Sequence, residues 1–327
     1  MCKGRIPMRR RLLGVAALAL SVPLVLAGCG SGGSSKSAFG AGGGSGGHAV
    51  RFVQQPWEDL VVETQIASDI LKKIGYSPSV QEVSVPLAAQ ALSTGKADAY
   101  LGNWWPSQQP VFGSMLDKGS VAVSGTLLTG TQYAPGMPGD MAQKLGITSL
   151  ADLASHGDLF HREILGIEPG TPGNQYILDA IAKNAYGLAG WKLVSSSTEA
   201  MLAEVGRRVA RNQPVVFLAW RPHWMVVKWN VKFLDDPQHI WPGAGQIRVL
   251  TRSGLNKQDP NLVRFLSQIR TDTQTASTWI DSYDNKKQSA EDIAQAWMTA
   301  NPGTVKVWLT GVKTVAGKDA ATAVSGS

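Results

Sequence analysis

Beyond residue 29 the sequence has no cysteine; the two it carries, Cys2 and Cys29, lie at the start of a 327-residue chain. That absence excludes a disulfide framework, a zinc-finger site and a thiol nucleophile in the folded body. Catalytic signatures are missing too. From His48 onward there is no Gly-x4-Gly-Lys-Ser/Thr loop, no Gly-x-Ser-x-Gly elbow and no His-Glu-x-x-His pair. The five histidines show no His-x3-His spacing, so neither a metal nor a cofactor is expected. Net charge is scarce as well, although the formal value is +7. Residues 1–28 hold Lys3, Arg5, Arg9, Arg10 and Arg11 and no acid; removing those five from 31 basic side chains leaves 26 against 24 acidic ones. No basic face remains for a nucleic acid.

What is present begins with an export signal. Arg9-Arg10-Arg11 precedes an apolar run from Leu12 to Ala27, with small residues after it. The string Leu26-Ala27-Gly28-Cys29 resembles the bacterial lipoprotein box, which implies a lipid on Cys29 and anchorage at the cell envelope. Residues 30–47 are rich in Gly and Ser, a composition that stays flexible and acts as a tether.

From His48 strand and helix patterns alternate. Ala49–Val53 reads as a strand, Glu58–Ile74 as an amphipathic helix stopped at Gly75, Ser79–Val85 and Ala97–Leu101 as strands, and Pro86–Ser93 as a helix. The middle repeats this order, with strands at Glu163–Ile167, Trp191–Ser195 and Pro214–Trp220, and helices at Gln175–Asn184 and Ser197–Arg211. A strand at Gln246–Thr251 and helices at Asp259–Thr271 and Ser289–Asn301 follow. The expected fold is α/β: two lobes built on open, largely parallel sheets, with ligand beyond the carboxyl ends of the strands. Tryptophan stands where other aromatics usually do, 11 against 7 Phe and 6 Tyr. Four fall at strand ends: Trp57, Trp104, Trp105 and Trp220. A quaternary ammonium ion has no N–H to donate and no lone pair, so hydrogen bonds cannot hold it. Aromatic faces attract the cation and cover its methyl groups.

Over about residues 49–311 the chain resembles the substrate-binding proteins of glycine betaine/choline-type ABC importers, most closely the choline-binding branch. The stretches that carry the likeness are Gln55-Pro56-Trp57-Glu58-Asp59, Tyr100-Leu101-Gly102-Asn103-Trp104-Trp105-Pro106, Gly166-Ile167-Glu168-Pro169-Gly170-Thr171-Pro172-Gly173-Asn174 and Val215-Val216-Phe217-Leu218-Ala219-Trp220-Arg221-Pro222-His223. The resemblance implies a hinged, two-lobed periplasmic-binding-protein fold (type II-like) with an interlobe cleft. It also implies a quaternary amine ligand, and a membrane permease with its ATPase as partners; the chain itself would not be an enzyme. It places the cage on Trp57, Trp104, Tyr133 and Trp220, with Asp59 meeting a ligand hydroxyl. Thr171 stands where that branch has Asn, which leaves room for betaine or carnitine. His223 either contacts a ligand carboxylate or caps the strand end. Trp105 is expected at the pocket rim or in a lobe contact, Asn174 as the N-cap of the helix that follows it, and Glu58 and Glu168 as solvated or loop-structuring residues. The other tryptophans are assigned to packing. The expected division is a signal at 1–28, a tether at 29–48, a first lobe at 49–132 and 246–313, a second lobe at 133–245, and a flexible tail at 314–327. An envelope hydrolase for choline-like compounds and a sensory receptor with the same site are the competing readings.

Overall fold

The computed structural model describes residues 48–325; the signal, Cys29 and the Gly/Ser-rich tether fall outside the described residues. Among the described residues no helix is long and apolar enough to cross a membrane.

Strand β1 (Ala49–Gln54) enters the helix Glu58–Lys73 through a three-residue link. That helix buries Leu60, Val62, Ile66, Ala67, Ile70 and Leu71 at helical spacing, each large aliphatic worth roughly 1.5–3 kcal/mol of burial. It ends at Ile74, and Gly75 then turns the chain with a φ of +97°, a conformation open to glycine. Strands β2 (Ser77–Glu82) and β3 (Ala99–Trp105) lie parallel on either side of β1. Among the elements not legible in the sequence are a helix at Gln109–Asp117 and the 17-residue strand β4 (Val121–Met137).

The remaining strands are β5 (Glu163–Leu165), β6 (Lys192–Val194), β7 (Phe217–Arg221), β8 (Lys232–Phe233) and β9 (Gly245–Arg252). They join in the order β2-β1-β3-β9-β4-β7-β5-β6, with β8 on β4. β4 changes partners along its length. Its residues through Thr131 pair with β9, and from Gln132 they pair with β7. The largely parallel expectation needs correcting at the centre. The outer pairings β1–β2, β1–β3, β5–β6 and β5–β7 are parallel, but β3–β9, β9–β4 and β4–β7 are antiparallel. The cause is topological: β4 carries the chain into the second lobe and β9 brings it back, so neighbouring crossing strands run opposite ways. Phe52, Tyr100, Phe112, Phe160, Phe217 and Phe265 are fully buried.

The C-terminal segment also departs from expectation. Residues 314–325 are not a loose tail. The Val315 amide donates to the Ile74 carbonyl at 2.9 Å, Lys313 bridges to Asp319, Ala320 is fully buried, and Ala320–Ser325 is helical. A Cβ on Gly75 would press on Val315, so that turn supplies the seat on which the segment packs.

Candidate functional site

Each aromatic of the cleft is set by a different piece of backbone. Trp57 occupies the N-cap position of Glu58–Lys73, in extended conformation. Trp104 lies near the end of β3, opposite Ile247 of β9. Tyr133 and Trp220 are direct partners across β4 and β7, so cross-strand register alone puts a phenol beside an indole. Trp104 and Tyr133 have ring centroids 6.0 Å apart with planes at 52°, and Tyr133 and Trp220 are 6.2 Å apart at 67°. The three rings form a tilted row along β3, β4 and β7.

Six of the seven expected residues meet here. Trp57, Asp59, Trp104, Tyr133, Thr171 and Trp220 line one cleft, joined by Ser107, Gln108, Ile167 and Pro172. No lysine, arginine or histidine is among them. Tyr133 is seated by the first turn of the helix Pro172–Ala182. Gly173 has no side chain, and a Cβ there would overlap the Tyr133 hydroxyl. Thr171 turns its hydroxyl back to the Glu168 carbonyl at 2.9 Å and caps nothing with its side chain.

Asp59 sits in the first helical turn, where backbone N–H groups favour an anion. Burial outweighs them and pushes its carboxyl up to about 6. Behind it lies a polar network. Tyr100 donates to the Gln55 side chain at 2.7 Å, Gln108 donates to the Gly102 carbonyl at 3.1 Å, Asn103 donates to Gln108 at 3.0 Å, and Arg248 donates to Asn103 at 2.9 Å. Trp105 turns away from the cleft and lies under the Arg248 guanidinium, 3.8 Å from the ring centroid. Asn174 is not the N-cap: its amide straddles the Ile167 backbone, accepting from Ile167 N–H at 3.0 Å and donating to Ile167 C=O at 2.8 Å.

The family model for the substrate-binding domain of ABC-type glycine betaine transport systems (OpuAC) matches residues 48–300. The chain belongs to this family. A solved choline-binding protein of an ABC transporter, in complex with choline, superposes with a TM-score of 0.82 at 31% identity, covering 85% of this chain and 97% of that one. The glycine betaine/L-proline-binding protein of Borrelia burgdorferi gives 0.74 at 25% identity, covering 80% and 96%. The glycine betaine/carnitine transport binding protein GbuC of Listeria monocytogenes is 29% identical over 163 residues, half of this chain and 54% of that protein. The fold of this binding domain is therefore the α/β fold of ABC-transporter solute-binding proteins. Its function class is the binding of a quaternary ammonium compound, not catalysis.

His223 does not join the cage. It is packed behind Trp220, ring centroids 5.1 Å apart, and against Trp224 at 5.0 Å. Its Nδ1 accepts from the Met225 amide at 3.2 Å and caps the short helix Trp224–Lys228. Its two expected roles are contact with a ligand carboxylate and capping of the strand end; the cap it makes is that of the helix after the strand, and it is not among the residues lining the cleft. Burial lowers its pKa to about 3, so the ring is neutral with its proton on Nε2. Nε2 lies 4.0 Å from both Glu58 and Asp284. These three side chains are the group nearest to a metal-binding geometry among the described residues, but a protonated Nε2 has no lone pair to give an ion. Glu58, expected to be solvated, is buried; burial and the Asp284 carboxylate hold its pKa well above the usual range. Sequence reasoning missed Ser107, Gln108, Ile167 and Pro172. Their signal was adjacency, since all four sit inside or beside the strings that carry Trp104 and Thr171.

Proposed function

We propose that the protein captures choline, or a cation much like it, and passes it to a membrane permease driven by an ATPase. The observation that carries this is the composition of the cleft: four aromatic side chains, one carboxylate and no cationic side chain. Each face offers a quaternary cation about 0.5–2 kcal/mol. Asp59 adds opposite charge and an acceptor for a hydroxyl. A ligand carboxylate, as in glycine betaine, finds no partner of opposite sign among the lining residues and meets Asp59 instead. Trp57, Asp59 and Trp104 stand on the first lobe and Tyr133, Thr171 and Trp220 on the second, so a ligand bound to both sets favours the closed arrangement by differential affinity. The division at 49–132 with 246–313 against 133–245 follows the change of β4 partners. Export and lipid attachment at Cys29 complete the proposal: a receptor tethered at the envelope surface. Calorimetry at pH 7.5 with choline, glycine betaine, carnitine and proline betaine tests it. Choline is expected to bind tightest. Failure of all four to bind, or glycine betaine binding tighter than choline, refutes it.

A further inference from the structure

Glu168 lies in the loop after β5, where a solvated or merely loop-forming residue is expected. Its carboxylate is instead held from two sides. Oε1 accepts the Thr198 amide at 2.7 Å and Oε2 accepts the Thr198 hydroxyl at 3.1 Å, at the first residue of the helix Thr198–Ala210. Oε2 also faces the first lobe, where the indole Nε1–H of Trp57 donates to it at 3.4 Å. That distance is longer than the usual N–H···O range, so the contact is a weak one in this arrangement. Nε1–H is the only polar group of the Trp57 ring, so its one hydrogen bond spans the two lobes. The charge is felt in the cage from a second direction. After burial, Glu168 is the largest cause of the raised pKa of the Tyr133 phenol.

We propose that Glu168 is a positioning and specificity residue. Its carboxylate orients the Trp57 face over the ligand and enriches that face toward a cation, so cation selectivity depends on a contact made only when the lobes meet. The chemistry is ordinary. An N–H given to an ionised acceptor is charge-assisted, and electron density drawn toward the ring strengthens the quadrupole that a cation sees. A neutral ligand of the same shape gains the packing but not this electrostatic part.

The inference rests on the choline reading, and the test separates the two. Choline and its uncharged carbon analogue, 3,3-dimethyl-1-butanol, are titrated into the full chain and its Glu168→Gln variant. Glutamine keeps an acceptor for Thr198 and loses the charge. Choline is expected to weaken about fivefold while the analogue stays within about twofold. Equal losses for both ligands, or no loss for either, overturn the role of Glu168. If the Gln variant does not fold, Trp57→Phe removes the N–H and keeps a ring. The preference for choline over the analogue must then shrink, and an unchanged preference overturns the inference. A wild-type protein that ignores choline sinks the underlying reading as well.

Discussion

Choline should lose affinity in acid because of one carboxyl. Asp59 is buried in the cleft and its pKa is pushed up to about 6. The ionised form attracts a cation and the protonated form does not, so binding choline favours the ionised state. The apparent Kd is the intrinsic value multiplied by one plus the ratio of protonated to ionised Asp59. With a pKa of about 6, that factor is about 1.1 at pH 7 and about 11 at pH 5. Affinity is thus flat above about pH 7 and falls by roughly tenfold per pH unit well below 6. Glycine betaine goes the other way, because a protonated Asp59 no longer repels its carboxylate and can donate to it. Calorimetry from pH 5 to 8, repeated on Asp59→Asn, reads both effects. The variant retains the buried Glu58 and Glu63, whose carboxyls are also shifted up, so subtraction isolates Asp59. A flat wild-type choline profile, or an equally steep one in the variant, refutes the assignment.

Gly173→Ala should cost choline about tenfold or more in affinity, because the new Cβ evicts the Tyr133 ring. The thermal midpoint should barely move, since alanine suits a first helical turn; unchanged affinity in calorimetry would show that Tyr133 is not a cage wall. Glu63→Gln should stabilise the protein in base and not in acid. Burial, reinforced by the Asp59 charge, raises the Glu63 pKa, so its folded form holds a proton that the unfolded chain gives up; stability is complete at low pH and is lost as pH rises through the folded value. Differential scanning calorimetry should find equal midpoints near pH 4 and a variant higher by about 2 °C or more in base, whereas a gap independent of pH would contradict it.

Much of the cage was legible because its residues end strands whose patterns are local. Trp57 follows a short alternating strand, and Trp104 closes one marked by its neighbours. Tyr133 was placed by resemblance alone. Its strand carries Gly125, Gly130 and Pro135 and shifts register against β9 at three places, so no clean alternation announces it. The pairing that seats Tyr133 joins it to Trp220, far away in sequence. The helix Thr273–Asp284 was hidden as well. It packs on Glu58–Lys73, and together with His223 it encloses Glu58, polar and early in a helix. The choice between the two roles of His223 was open for a similar reason: adjacency to Trp220 in sequence says nothing about which side of the ring it occupies.

The strand that both lobes share makes the jaws unequal. Tyr133 and Trp220 are partners in the ladder between β4 and β7, so under the proposed closure their wedge would be ready-made. Trp57 and Trp104 would then stand on the opposite jaw and arrive later. An incoming methylammonium group can settle first against the standing wedge, and the swing of the other jaw then seals it in.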